Sequence, residues 1–323
     1  MSLVKKTVDE WLNDIDYNDD PTYVPSEFAL EFVSFIKLVN GEKGEENKTP
    51  IIHYKMLDKI AGKKENTANM CARGLAKTTI FAEYLFLYIA VYGSIPGFGV
   101  VDYALYLSDS IENGVKKMRL RVERRCENSE FLKRYVTTTR FTDIRWYFKN
   151  AEGKEFVVTG HGAKTGVRGT VELNTRPQLA VLDDLLGDED ARSATIIENV
   201  ENTVYSAIDY ALHPNKRKII WSGTPFNAKD PLYKAIESGV WHVNVYPVCE
   251  VFPCSRKEFK GAWEDRFSYD YVNNQYMKSK GAGQLDSFNQ ELMLRITSEE
   301  DRLIKDSDII WYKRSNVLKN QGA

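Results

Sequence analysis

Long apolar runs are missing from this sequence. The longest, Tyr84 to Tyr92 (YLFLYIAVY), is far too short to cross a bilayer. The N-terminus MSLVKKTVDEW opens with charge and has neither the apolar core nor the cleavage site of a secretion signal. Cysteine is scarce: Cys71, Cys126, Cys249 and Cys254 are the four in 323 residues, a usage that suits reduced thiols in a cytosol. Cys249 and Cys254 have no second pair and no nearby histidine to complete a zinc site. The four histidines, His53, His161, His213 and His242, fall at no metal-ligand spacing. Neither sign of charge prevails, with 44 Lys and Arg against 46 Asp and Glu and a net charge of −2. That excludes a chain whose whole surface coats nucleic acid, though not one with a local basic patch. Internal repeats and low-complexity tracts are absent too.

What is present is alternation. A short helix is expected over Val8–Ile15 after a polar, acidic start that ends at Asp19-Asp20-Pro21. A second follows Ser26, a candidate cap, with Phe28, Leu30, Phe32, Val33, Phe35, Ile36 and Leu38 supplying a broad apolar face. Gly41 to Lys48 reads as a loop. From about residue 50 to 225, short apolar runs at Thr67–Ala72, Val101–Leu107, Leu179–Leu182 and Lys218–Trp221 alternate with helical segments at Thr78–Tyr92, Ser110–Tyr135 and Ala191–Leu212. This pattern predicts an α/β fold with a mostly parallel central sheet flanked by helices on both faces. Ile144–Lys149 and Glu155–Thr159 flank Asn150-Ala151-Glu152-Gly153 and predict an inserted β-hairpin. Beyond residue 226 the periodicity weakens. Val243–Val248 reads as one more strand, Trp263–Arg266, Tyr269–Lys280 and Phe288–Arg295 as short helices of a small lid or linker region, and the C-terminal YKRSNVLKNQGA as a linker. The chain divides into a helical lead-in (1–48), a core (49–245) and a C-terminal part with linker (246–323).

Three segments carry chemistry. The first, Cys71-Ala72-Arg73-Gly74-Leu75-Ala76-Lys77-Thr78-Thr79, follows an apolar run and opens a helical pattern, the context of a phosphate-binding P-loop. Backbone N–H groups there would cradle phosphate oxygens, Lys77 would neutralise the β and γ phosphates of ATP, and Thr78 would ligate Mg2+. Cys71 and Ala76 stand where G-x-x-x-x-G-K-[ST] expects glycine, so an ordinary helix start remains the alternative. The second segment, Gln178 to Asp184, is an apolar run ending in two carboxylates, as in a Walker B strand. Asp183 would hold magnesium, largely through water. Asp184 would orient and deprotonate the attacking water, with Glu189 as the alternative. Asp188 and Asp190 are read as caps of the following helix. The third segment, Lys218 to Phe226, ends a strand in Ser222-Gly223-Thr224-Pro225, whose hydroxyls can sense a terminal phosphate and couple it to a neighbouring domain.

In this order and spacing, Ala72-Arg73-Gly74-Leu75-Ala76-Lys77-Thr78-Thr79, Asp183-Asp184-Leu185-Leu186-Gly187-Asp188-Glu189 and Thr224-Pro225-Phe226-Asn227 resemble the motifs of the tailed-phage large terminase subunit, over roughly residues 25 to 315. The resemblance implies a P-loop NTPase of the ASCE type: the ATP-hydrolysing motor that drives double-stranded DNA into a procapsid. It further implies that Arg73 contacts the phosphates. Arg168, in Lys164-Thr165-Gly166-Val167-Arg168-Gly169, would reach a neighbouring subunit's ATP as an arginine finger, or else be a plain loop arginine. Tyr54, about twenty residues before the loop, would stack on adenine, or else be a core tyrosine. Implied partners are double-stranded DNA, a portal protein, a small terminase subunit and a homo-oligomeric ring, a pentamer on the capsid and a monomer in solution. The implied place is the host bacterial cytoplasm and the portal vertex, with no membrane. Such subunits usually carry a nuclease domain as well, and this chain ends where that domain would begin. A helicase-like DNA-dependent ATPase fragment is another reading, although too few residues remain for its second lobe. A non-catalytic assembly adaptor with a dead nucleotide fold is the third. The densest basic stretch, Lys116 to Arg125 with Lys133 and Arg134, would face DNA or a partner subunit, or form a solvated helix face.

Overall fold

The computed structural model describes residues 4–17, 21–44, 47–61, 66–165, 167 and 169–296. Ten strands are found among them: β1 (Asn66–Cys71), β2 (Ser94–Ile95), β3 (Gly99–Val100), β4 (Tyr103–Ser108), β5 (Val136–Phe141), β6 (Arg145–Asn150), β7 (Glu155–Gly162), β8 (Leu179–Asp183), β9 (Lys218–Gly223) and β10 (His242–Tyr246). Eight of these form one sheet in the order β10-β1-β9-β8-β4-β7-β6-β5. From β10 to β7 neighbours run parallel, whereas β6 and β5 are antiparallel. β2 and β3 make a separate two-stranded ribbon.

The strand sequences explain why the sheet is buried on both faces. Successive side chains of a strand point to opposite faces. In β4, Ala104 and Tyr106 join one apolar cluster while Tyr103, Leu105 and Leu107 join the other; in β8, Leu179 and Val181 part from Ala180 and Leu182 in the same way. Each run therefore reads as continuously apolar, as expected for parallel strands covered by helices.

The first cluster is built on the helix Glu27–Asn40, whose cap Ser26 accepts from the Ala29 N–H. Its Phe28, Phe32 and Phe35 surround Tyr88 of the helix Leu85–Tyr92 at ring-centroid distances of 5.6, 5.3 and 5.4 Å. The N-terminal segment is thus tied into the core, with Val8 and Leu12 entering the second cluster. So is the C-terminal part: Val248, Trp263, Phe267, Val272, Phe288 and Met293 belong to the first.

The expected hairpin forms as β6–β7 and also extends the main sheet, because β7 pairs with β4 and β5 adds a strand beyond β6. Several elements differ from expectation. The predicted helix Thr78–Tyr92 begins with wider π turns over Thr79–Tyr84. That over Ser110–Tyr135 breaks at Ser129, which caps the next helix by accepting from the Leu132 N–H. The segment after Ala191 divides into Ala194–Asn202, π turns at Thr203–Ile208, and Asp209–Ala211. Trp263–Arg266 is a turn rather than a helix, closed by Arg266 and Phe267 N–H groups donating to the Trp263 carbonyl. The charged Glu299–Arg302 and the expected C-terminal linker lie outside the described residues. Among the described residues no helix is long and apolar enough to cross a membrane.

Candidate functional site

The order β10-β1-β9-β8-β4 sets β1 between β10 and β9, and β9 beside β8. The C-terminal ends of three parallel strands therefore meet at one edge, where ligands of open α/β sheets bind. The loop after β1, the acids ending β8 and the hydroxyls ending β9 converge there, although they are far apart in sequence.

The loop Ala72–Thr78 is fixed by its backbone. Ala72 N–H donates to the Tyr246 carbonyl at the end of β10 (2.9 Å), and Arg73 N–H to the Glu291 carbonyl (2.9 Å). Gly74 has φ +89°, and a Cβ there would lie 2.8 Å from the Phe267 ring, so glycine is required twice over. Ala76 also adopts a left-handed conformation, φ +60°, at the place where the usual pattern has glycine. Leu75 and the Cys71 and Ala72 side chains are fully buried; burial pushes the Cys71 thiol up to about 12, so no thiolate intrudes on the loop.

Lys77, 6% exposed, donates to Thr224 Oγ1 (3.0 Å) and lies 3.3 Å from Asp184 Oδ2. Burial opposes its charge, but Asp184 and Asp183 outweigh that and hold the ammonium above its ordinary pKa. Thr78 Oγ1 donates to Asp183 Oδ1 (2.8 Å), Ser222 Oγ to the same oxygen (3.3 Å), and Tyr106 OH to Asp183 Oδ2 (3.1 Å). Burial first, then Asp184, raises Asp183 to about 6, against the opposing pull of Lys77, Thr78 and Tyr106. The ammonium and the acid both shift upward: Lys77 lies closest to Asp184, at 3.3 Å, and its weaker pull on Asp183 does not offset that acid's burial. Asp184 has φ +43°, strained for a residue with a side chain. Its N–H donates to the Ser222 carbonyl (3.0 Å), and its Oδ1 accepts from the Thr224 N–H (3.1 Å). Gly223 leaves room for the helix Pro231–Glu237 and for Asp184: a Cβ there would meet Leu232 at 2.8 Å and Asp184 Oδ1 at 3.3 Å.

Thr78, Asp183, Asp184 and Thr224 open onto a cavity of about 410 Å³ that Arg73, Tyr106, Asp109, Lys117, Arg121 and Asp188 also line. Adjacent Thr78 and Asp183 oxygens are the hard donors magnesium takes, and a buried carboxylate whose pKa burial has raised fits a divalent ion that would offset its charge. No group of three or more His, Cys, Asp or Glu among the described residues could hold a metal alone. A second cavity, of about 610 Å³, is lined by Tyr17, Tyr23, Ile51, Lys55, Tyr246 and Trp263 among others, and of these Tyr246 touches the loop through its carbonyl, which accepts from the Ala72 N–H.

The remaining candidates fall as follows. The Arg73 guanidinium makes a two-pronged pair with Glu291, which raises its pKa, and its side chain stays 61% exposed at the cavity wall. Thr79 accepts from Arg121 Nη2 (3.3 Å). Glu189 is exposed at the start of a short 3-10 turn and does not line the cavity. Tyr54 sits in the helix Ile51–Ile60, half-buried against the first apolar cluster and not among the residues lining either cavity. Its neighbour His53 reaches the loop instead, at 2.9 Å from the Leu75 carbonyl, and burial lowers its pKa to about 4. Arg168 lies outside the described residues. Sequence reasoning missed Tyr106, Glu83 and the inward turn of Lys117 and Arg121. For the last two, the i, i+4 spacing of Lys117 and Arg121 was the available signal.

Scans of protein-family models and of curated proteins find no match. Among solved structures, the large terminase ATPase domain of Thermus phage P74-26 is similar with a TM-score of 0.52 and 11% identity, over 85% of this chain and 100% of that one. The large terminase of bacteriophage HK97 is similar with a TM-score of 0.51 and 17% identity, over 84% of this chain. This chain spans 57% of the HK97 protein. The fold around the loop, the paired acids and the strand-end hydroxyls is that of large-terminase ATPase domains, a P-loop NTPase fold.

Proposed function

We propose that this chain is the ATP-hydrolysing motor domain of a viral large terminase. The observation that carries the reading is the meeting of Lys77, Thr78, Asp183 and Thr224 at one sheet edge, with contacts of 2.8 to 3.0 Å linking Lys77 to Thr224 and Thr78 to Asp183. In this reading the loop's N–H groups and Lys77 bind the ATP phosphates. Thr78 and Asp183 hold magnesium, which when bound neutralises charge on the phosphate oxygens. Asp184, which faces the cavity as Glu189 does not, orients and deprotonates the attacking water. The cavity beside Tyr246 is where the base would lie. Ser222, Gly223 and Thr224 report the terminal phosphate to the rest of the chain.

ATP turnover in this reading drives double-stranded DNA through a portal protein into a procapsid in the bacterial host cytoplasm. The chain works there as a homo-oligomeric ring with a small terminase subunit, and Arg168 of each subunit serves its neighbour. The test is ATPase activity, alone and with DNA and a portal. Wild type should turn over ATP, and Lys77→Ala and Asp183→Ala should lower the rate by at least about a hundredfold. Wild-type inactivity under every condition overturns the motor reading. ATPase activity with no DNA movement in a packaging assay leaves an ATPase and removes the translocase.

A further inference from the structure

The basic helix Lys116–Asn128 divides by face. Lys116 pairs with Glu112 and Asp143, and Arg119 with Glu123 and Asp143, away from the cavity. Lys117 and Arg121, one helical turn apart, line the cavity of about 410 Å³ that Thr78, Asp183 and Asp184 also line. Lys117 has no ion pair among the described residues, and its side chain is exposed.

Arg121 is placed by Glu83, a carboxylate 1% exposed on the π turns that follow the loop. Glu83 is served twice. Arg125 Nε donates to Oε1 (2.7 Å), while Arg125 is also held by Asn40 Oδ1 (2.8 Å) and lies over the Tyr84 ring at 5.1 Å. Arg121 Nε lies 3.0 Å from Oε2, yet that oxygen has no aligned hydrogen bond. Two guanidinium groups against one carboxylate leave a surplus positive charge, and it belongs to the loosely held, 48% exposed Arg121. The other Arg121 tether is a single 3.3 Å contact to Thr79 Oγ1, one residue past Thr78.

We propose that Arg121, assisted by Lys117, is a cis-acting phosphate contact that recognises the terminal phosphate of a nucleoside triphosphate bound at the loop. The proposal rests on the nucleotide-site reading of that loop and names how the site tells a triphosphate from a diphosphate. When the phosphate arrives, Arg121 exchanges Thr79 for phosphate oxygens. Glu83 keeps its neutralising partner in Arg125, so no buried charge is stranded by the move. An arginine suits this role because its remaining N–H groups can bond phosphate while Nε stays near Glu83.

The test measures equilibrium binding of ADP and of ATPγS, each with magnesium, to the full chain. Wild type, Arg121→Gln, Arg121→Lys, Lys117→Gln and Lys77→Ala are compared. Arg121→Gln should weaken ATPγS about tenfold or more while changing ADP by less than about twofold. Arg121→Lys should recover part of the loss, Lys117→Gln should act in the same direction but less, and Lys77→Ala should weaken both nucleotides. Should Arg121→Gln not fold, Arg121→Lys and Lys117→Gln carry the comparison. Equal weakening of both nucleotides, or none, overturns the proposal and leaves the loop assignment standing. Loss of DNA binding with nucleotide discrimination intact overturns it too, in favour of a DNA-facing helix. Wild type that binds neither nucleotide overturns the loop assignment and this proposal together.

Discussion

Thr224 joins the two ends of the phosphate loop: its hydroxyl accepts from Lys77 Nζ across 3.0 Å and donates to the Cys71 carbonyl across 2.8 Å. The strand-end motif therefore bears directly on the residue that would meet phosphate. Replacing Thr224 with Val keeps the shape but removes a buried hydrogen bond to the Cys71 carbonyl and a partner of Lys77. Urea unfolding should show a loss of about 1–3 kcal/mol, whereas Thr224→Ser should stay close to wild type. ATPase activity should fall in the first variant and survive in the second.

Asp184 and Glu189 separate cleanly. Asp184 lies 3.3 Å from Lys77 at the cavity; Glu189 is exposed away from it. Steady-state ATPase assays should show Asp184→Asn reducing kcat by about a hundredfold to ten-thousandfold, the range of a lost general base. Glu189→Gln should remain within about twofold of wild type, and a larger loss in the Glu189 variant would reverse the assignment.

The two left-handed loop positions predict opposite responses. Ala76 holds φ +60°, a conformation that costs a residue with a Cβ about 1–2 kcal/mol relative to glycine. Ala76→Gly should therefore raise the thermal midpoint. Gly74→Ala combines φ +89° with a Cβ 2.8 Å from Phe267, so it should destabilise by about 1–3 kcal/mol. Gly74→Ala in a Phe267→Leu background should recover only the steric part.

Asp183, raised to about 6 by burial and by Asp184, is half protonated near that pH. The protonated form cannot hold a cation, so ATPase activity should fall as pH drops through about 6. Protons and magnesium then compete for one carboxylate, so raising magnesium should move this acid limb to lower pH. The linkage to stability runs the opposite way from activity. Because the folded-state pKa lies above the ordinary carboxylate value, the Asp183 contribution favours the fold most below about 4, and that advantage is lost as pH rises toward 6. A pH–rate series at two magnesium concentrations checks the first statement, and a limb that does not move counts against Asp183 as the metal-holding acid.

Legibility in the sequence followed burial. β8 and β9 are covered on both faces, so each shows as an unbroken apolar run ending at its functional residues. β5, with the sequence VTTTRF, is a sheet edge with exposed Thr137, Arg140 and half-buried neighbours, and carries no such signal. Asp183 and Ser222 were readable because each lies at the end of an apolar strand, and Lys77 because it stands between an apolar strand and the start of a helix. Tyr106 was hidden inside an apolar run, where nothing distinguishes a tyrosine that packs from one whose hydroxyl bonds an aspartate. The direction of Lys117 and Arg121 depends on how the helix Lys116–Asn128 is rotated against β4 and the loop, and Glu83 was indistinguishable from a solvated helix position. Trp263–Arg266 carries a helix-like composition, but its indole N–H donates to the Lys48 carbonyl (2.7 Å) and its backbone closes in a turn.

β1, which leads into the phosphate loop, has both sheet neighbours late in the chain. Its Asn69 side chain bonds the Trp221 carbonyl 152 residues downstream and accepts from Asn244 Nδ2 175 residues downstream. A nascent polypeptide that has not yet emerged past β10 therefore lacks the flanks that shape the loop, and nucleotide binding should appear late in synthesis, as β10 zips into place. Such distant pairing slows folding and leaves an apolar strand uncovered in the interim, so this chain should depend on chaperones more than a locally wired helical domain of equal size.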